Sequence, residues 1–294
     1  MLRAMNRPPH LEIRLDALLQ RATGLGGPVL FLTGAGISQE SGIPTFRGAE
    51  GYWRVGSRNY HPMELATFAA YSRLREEVWG WYLYRRAVCA RATPNAAHRA
   101  IARLEQRLGD ALRLVTQNVD GLHLRAGSSR ERTFEIHGDI NRMRCEATCS
   151  DETFEIPASL DRDPDRETAQ GGHGLSPEER LLLRCPRCNA NARPHVLWFD
   201  ECYDEAHFRF ESSMRAAALA RLLVVIGTTG ATNLPLQIGG LVAARGAPML
   251  VLNPEPNPFS EFAEQCEGLF LQGTAGGLVP DVCERIASAL GGEP

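Results

Sequence analysis

The chain has 294 residues, 44% of them hydrophobic and 23% charged, with a formal net charge of −3. That balance supports one large α/β domain with a smaller module, or two modest domains, and excludes wholesale disorder. It also argues against direct nucleic-acid binding, which needs a basic excess, and no apolar run reaches the roughly 18 residues of a membrane-spanning helix.

In chain order, the N-terminal stretch lacks the apolar core of a secretory signal. Leu11–Arg21 carries apolar residues at helical spacing, and Pro28–Thr33 is a short buried strand. Further strands are predicted at Leu112–Thr116, Thr133–Ile136, Leu222–Ile226, Met249–Leu252 and Leu269–Leu271. Helices are predicted at Asn95–Leu108, Asp204–Arg221, Leu236–Ala244 and Val279–Leu290. Strands alternating with helices imply a doubly wound α/β domain, with a mostly parallel sheet covered on both faces.

Two stretches break the alternation. Residues 43–92 are helical and aromatic-rich, with no strand candidate; residues 137–201 carry paired cysteines and a polar run over Asp161–Pro177. They predict a small domain of residues 45–92 and 137–201, beside a large one of 1–44, 93–136 and 202–294.

Gly34-Ala35-Gly36 follows the first strand, where glycines let backbone approach a phosphate. The dehydrogenase fingerprint would place a third glycine where Gln39 stands, so hydride transfer is the weaker reading. Beyond it, Phe46 and Arg47 suit a ring cover and a pyrophosphate clamp, or equally a core side chain and a surface charge. Thr116-Gln-Asn-Val-Asp120 ends a parallel strand, the edge where open α/β sheets bind ligands. Asn118 and Asp120 suit ribose hydroxyls, although an ordinary polar turn is the plainer reading of that segment alone. His137 ends the next strand and titrates in the range of a general base, although a lone histidine is more often structural.

Cys185-x-x-Cys188 has the spacing of half a tetrahedral zinc site, and Cys145-x-x-x-Cys149 supplies the other half, with His173 as an alternative ligand. Four thiolates leave no open position, so one structural Zn2+ is expected, in a reducing and hence cytoplasmic setting. The acidic residues around the cysteines, among them Asp151, Glu152 and Asp161, argue against a nucleic-acid-binding zinc ribbon.

Six segments, in this order, resemble motifs of the sirtuin family: Gly34-Ala-Gly-Ile-Ser38, Gly42-Ile-Pro-Thr-Phe-Arg47, Thr116-Gln-Asn-Val-Asp120, His137-Gly138, Cys185-Pro-Arg-Cys188 and Val196-Leu-Trp-Phe199. The resemblance spans roughly residues 25 to 285. It implies a Rossmann-like domain with a small zinc-and-helix domain, and NAD as a co-substrate for removing acyl groups from lysines of proteins or peptides. It implies that Gly34, Ala35, Gly36, Thr45, Phe46, Arg47, Gln117, Asn118, Asp120, Gly227, Thr228, Thr229, Asn253 and Ala275 bind NAD. Asn118 and His137 would be catalytic, His137 as the base on the ribose. The products would be nicotinamide, O-acyl-ADP-ribose and free lysine. ADP-ribosyl transfer and NAD hydrolysis on the same fold are the alternatives.

Leu197 and Phe199 would bracket the substrate lysine and Glu201 would bond the peptide backbone, by the same resemblance. Tyr82 and Arg85 match the pair that marks the branch removing malonyl and succinyl groups, and lie three apart on one helix face. Two residues depart from the family pattern. Asp139 follows His-Gly, where a carboxylate could raise the basicity of His137. Asp200 replaces a glycine at the peptide edge.

Overall fold

The structure, a computed structural model, describes residues 8–44, 53–55, 58–60, 62–163, 165 and 175–291. The strands in chain order are β1 (Val29–Thr33), β2 (Trp53–Val55), β3 (Arg58–Tyr60), β4 (Leu112–Thr116), β5 (Thr133–Glu135) and β6 (Gly138–Cys145). They continue with β7 (Thr153–Glu155), β8 (Ala192–Val196), β9 (Leu222–Ile226), β10 (Met249–Asn253) and β11 (Leu269–Gln272).

Six of them form one all-parallel sheet in the order β11-β10-β9-β1-β4-β5. The chain winds outward from β1 to β4 and β5, then crosses back to lay β9, β10 and β11 on the other side. That reversal makes the β1/β9 junction the topological switch point of a Rossmann-like fold, where open sheets bind ligands. Thr33 is in register with Thr116 on one side and Ile226 on the other, so the three central strands end at one level.

Side chains alternate between the two faces of the sheet. Val29 and Phe31 pack with the helices Pro9–Thr23, Ala96–Leu108 and Ala275–Leu290. Leu30 and Leu32 pack with Phe210–Leu219, Asn233–Ala244 and Pro258–Gln265. Coverage on both faces explains why Leu222–Ile226 is buried throughout and reads as an unbroken apolar run.

A second, antiparallel sheet has the order β7-β6-β8. The helix Arg75–Arg91 joins it around Tyr71, Trp79, Trp81, Tyr82 and Trp198. Tyr71 Oη and Trp79 Nε1 both donate to the Ala192 carbonyl, at 2.9 and 3.1 Å, tying the helices to β8. The described start of the polar run is tied to the same helix: Arg91 pairs with Asp163 at 2.7 Å and Asp165 at 2.8 Å, and Arg86 pairs with Asp161.

Three expectations change. The helix over Asp204–Arg221 breaks at Arg209, which has φ +54°, into Glu205–Phe208 and Phe210–Leu219. The antiparallel pair β2/β3 lies where no strand was expected. The expected peptide edge, residues 196–201, is not a strand beyond Val196, where β8 stops, and Glu201 N donates to Trp198 O at 3.0 Å to close a turn. Among the described residues, no helix is long and apolar enough to cross a membrane.

The loops after β1 and β9 touch backbone to backbone. Gly34 N donates to Ile226 O at 3.0 Å, and Gly36 N to Gly227 O at 2.8 Å. A Cβ on Gly36 would stand 2.8 Å from Gly227 Cα, and one on Gly34 would stand 2.7 Å from Thr228 Cβ. Neither neighbour is a flexible side-chain end that could swing away. Gly36→Ala is therefore expected to lower stability by about 1–3 kcal/mol and to weaken NAD binding, as read by chemical denaturation and calorimetry.

Candidate active site

The loop after β1 turns into a 3-10 segment, Ala35–Ser41, rather than an α-helix, and ends at Gly42 with φ +83°. This brings Ser38 under the loop that follows β4. Ser38 Oγ donates to Asp120 Oδ2 at 2.7 Å, and Asn118 Nδ2 donates to Ser38 Oγ at 3.0 Å and to Gly34 O at 3.1 Å. Asn118 therefore spends its amide hydrogens inside the protein and has an acceptor left to offer. Asp120 is buried, and burial pushes its pKa up against the hydrogen bonds from Leu122 N and Ser38.

Beneath this node lie His98 and His123, ring centroids 4.8 Å apart. His123 Nε2 is 3.0 Å from Thr33 Oγ1, which donates to Thr116 Oγ1 at 2.9 Å. Burial pushes the His98 pKa down to about 4 and that of His123 well below the usual range, so both are neutral packing groups. Ser38 lay inside a sequence motif, but nothing in the sequence paired it with Asp120.

Gln117 is clamped from the far side of the switch point. Its Nε2 donates to Thr228 Oγ1 at 3.0 Å, and Thr232 Oγ1 donates to its Oε1 at 3.0 Å. Thr228 is buried and Thr229 exposed, with Gly227 at φ +59°. Asn253 ends β10 with Nδ2 donating to Glu255 O at 2.7 Å. Ala275 opens the last helix, whose first turn accepts the Glu40 carboxylate: Gly276 N donates to Glu40 Oε2 at 2.5 Å. Thr45, Phe46 and Arg47 lie outside the described residues.

His137 follows β5. Its Nδ1 lies 2.9 Å from the Gln117 carbonyl, an acceptor only, so Nδ1 carries the hydrogen and Nε2 the lone pair. Burial pushes its pKa down to about 4 despite that bond, so the ring is neutral at physiological pH. A neutral imidazole with its tautomer fixed is the form a general base needs. Asp139 does not act on it as expected: its Oδ1 instead accepts from Asn141 N and Nδ2, both at 2.9 Å. The partner of Nε2 is Tyr203, whose hydroxyl is 2.9 Å away. Tyr203 carried no signal in the sequence, where it opens an ordinary polar turn.

At the expected peptide edge, Leu197 N donates to His137 O at 3.0 Å, while Phe199 is 50% exposed and its N donates to Ala66 O. Asp200 has a clear structural use, with its carboxylate capping Phe68 N at 2.7 Å and Ala69 N at 3.0 Å. Glu201 engages its own chain: Arg193 donates to both its oxygens, at 2.5 and 2.7 Å, and Trp198 N donates to one. Tyr82 is fully buried, and its hydroxyl accepts from Trp198 Nε1 at 2.9 Å. Arg85, one turn on, stacks over Trp81 at 5.1 Å and lies close enough to Tyr82 and Asp120 to favour both of their anionic forms.

The four cysteines converge, with their sulfurs all within 4.8 Å of one another and two pairs 3.5 and 3.6 Å apart. A zinc tetrahedron with arms of about 2.3 Å has edges of about 3.8 Å, so Cys145, Cys149, Cys185 and Cys188 fit a structural zinc. Thr148 at φ +48° and Asn189 at φ +59° make the tight turns that aim the thiols inward. His173 lies outside the described residues.

Comparison with known proteins agrees with this geometry. The Sir2 family model matches residues 34–233. An NAD-dependent protein deacylase of Thermus thermophilus is 41% identical over 80% of this chain and 82% of its own. NAD-dependent protein deacylase 1 of Pseudomonas aeruginosa is 40% identical over 92% and 98%. A Sir2 homologue solved as its NAD complex superposes with a TM-score of 0.72 at 32% identity, covering 94% of each chain. The chain belongs to the Sir2 family.

The thiol tetrad joins β6 to the loop before β8, so metal binding and folding of this module are coupled. About one equivalent of zinc is expected on purification. Cys185→Ser or a strong chelator is expected to lower metal content and melting temperature together, and a metal-free protein with an unchanged melting curve would contradict the assignment.

Proposed function

We propose that this chain is an NAD-dependent protein-lysine deacylase, with residues 1–44, 93–136 and 202–294 as the NAD-binding domain and 45–92 and 137–201 as the small domain. The observation that carries the reading is the neutral His137 beside the buried Asn118–Ser38–Asp120 node, at the switch-point edge of a parallel sheet. The relatives at 40 and 41% identity named as NAD-dependent protein deacylases support the same reaction class.

NAD supplies an anomeric carbon with nicotinamide as its leaving group, to be attacked by the acyl oxygen of the substrate lysine. The residues of this chain do the rest. Gly34, Ala35 and Gly36, with Gly227, Thr228 and Thr229 opposite, form the dinucleotide cradle. Thr45, Phe46 and Arg47 would close over it by the family resemblance, with Asn253 and Ala275 beside the adenosine half. Gln117, Asn118 and Asp120 offer acceptors to the nicotinamide ribose. His137 Nε2 takes a proton from a ribose hydroxyl, and because its Nδ1–H is held by Gln117 O the ring cannot present the wrong nitrogen.

Leu197 and Phe199 flank the incoming lysine chain in this reading. Glu201 acts through its salt bridge with Arg193, which holds the Trp198–Glu201 turn in place.

The decisive assay is mass-spectrometric detection of nicotinamide, O-acyl-ADP-ribose and deacylated peptide, for wild type and His137→Ala. The substitution is expected to abolish deacylation while leaving the melting curve near wild type. Nicotinamide release that requires no acyl-lysine would instead favour ADP-ribosyl transfer or NAD hydrolysis.

The acyl group we assign is malonyl or succinyl. Tyr82 accepts from Trp198 and keeps its own hydroxyl hydrogen, and Arg85 lies one helical turn away on the same helix. A carboxylate taken out of water needs such partners, and a guanidinium can supply two parallel hydrogen bonds. Arg85→Met is expected to cost succinyl-lysine turnover about 2–5 kcal/mol in kcat/KM, while acetyl-lysine turnover holds or rises. Equal loss with both peptides would remove Arg85 from acyl recognition.

A further inference from the structure

The nitrogen on which catalysis depends is already engaged. His137 Nδ1 is committed as a donor to Gln117 O, so the neutral ring has one lone pair, on Nε2. That lone pair faces the Tyr203 hydroxyl at 2.9 Å. Since Nε2 has no hydrogen to give, the phenol must be the donor. Burial pushes the Tyr203 pKa up to about 12, so the phenol keeps its proton throughout the physiological range.

A ribose hydroxyl that hands its proton to His137 needs the same lone pair, in the same direction. An imidazole nitrogen accepts one strong hydrogen bond, so Tyr203 and the ribose compete for it. We infer that Tyr203 is a positioning residue that stands in for the ribose hydroxyl on His137 and must be displaced when NAD binds. This rests on the reading of His137 as the base on the NAD ribose.

The two partners are not equally free to move. His137 is fixed by Gln117 O and lies between buried Ile136 and Gly138, whose backbone runs against His195 O. A Cβ on Gly138 would meet that oxygen at 2.1 Å, which shows how tightly the segment is packed. Tyr203 stands in a turn between exposed Cys202 and exposed Asp204, just before the short helix Glu205–Phe208. Its ring is only half-buried: it lies tilted against His137 at 5.9 Å and Phe210 at 6.4 Å and rests on the edge of the core on that face of the sheet. The tyrosine is therefore the side that yields. Its bond keeps the Nε2 lone pair aimed at the position a donor must occupy, and its removal uncovers the base only when a competing hydroxyl arrives.

The test is a cycle of ADP-ribose affinities, measured by calorimetry on the zinc-loaded full chain. A hydrogen bond of ordinary net strength corresponds to about threefold to tenfold in affinity. Tyr203→Phe keeps the ring and removes the competing hydroxyl, so ADP-ribose is expected to bind about threefold to tenfold more tightly, with a matching fall in KM for NAD. In a His137→Ala or His137→Asn background the same substitution is expected to give no gain, because the contested lone pair is gone. A merely structural tyrosine predicts weaker binding in Tyr203→Phe, and an equal gain in both backgrounds means that Tyr203 acts elsewhere; either result overturns the inference. So does a fall in kcat with affinity unchanged, which would make the phenol a proton relay. If wild type fails to bind ADP-ribose at all, the NAD site itself is wrong; binding without tightening removes only the role of Tyr203.

Discussion

The rest of the site hangs on the backbone contact at the switch point, where Gly34 and Gly36 meet Gly227 with no side chain between them. Parallel strands bring their carboxyl ends to one edge, but they do not by themselves bring the loops into register. Here Gly36 N bonds to Gly227 O, and the 3-10 segment that follows swings Ser38 beneath the β4 loop. Asn118 and Asp120 are oriented by Ser38, while Thr228 and Thr232 orient Gln117 from the opposite side. A side chain at either glycine would part these loops and release all three polar residues together.

Burial then tunes the chemistry. The polar node is enclosed, so Asp120 is raised, His98 and His123 stay neutral, and His137 is driven down to about 4. His137, proposed above as the base, is with so low a pKa a weak proton acceptor in isolation. Its usefulness comes from being unprotonated with one tautomer fixed, so that the lone pair always points the same way. Tyr203 shows that the protein satisfies that lone pair internally, consistent with the cost of leaving a buried acceptor unpaired.

The small module is organised by different means. The thiol tetrad brings together two distant cysteine pairs, and Tyr71 and Trp79 fasten the helical insertion to β8 through one carbonyl. Glu201, gripped by Arg193, fixes the turn that carries Phe199, and Asp200 caps the helix beginning at Phe68. The described start of the polar run, Asp161, Asp163 and Asp165, lies against the helix that carries Tyr82 and Arg85. Its ion pairs are exposed and individually weak; the burial of Leu160, Leu175 and Leu183 in the module's core contributes more to holding it there.

The sequence by itself determined the parallel sheet, because continuous apolar runs such as Leu222–Ile226 are what strands covered on both faces look like. It determined the glycines of the loop contact and the thiol set too, since close backbone approach and tetrahedral zinc restrict residue type and spacing to narrow patterns. The strands β2, β3, β6, β7 and β8 and the break at Arg209 were not marked by the sequence, whereas β5, no longer than β2 or β3, was. Asp139 looked like a partner for His137 from adjacency alone, but its carboxylate bonds Asn141 instead. Ser38 on Asp120, Thr232 on Gln117 and Tyr203 on His137 were decided only by the tertiary structure. Those partners are 82, 115 and 66 residues apart in the chain, and side-chain hydrogen bonds over such distances follow from where the strands end in space, which no local pattern encodes.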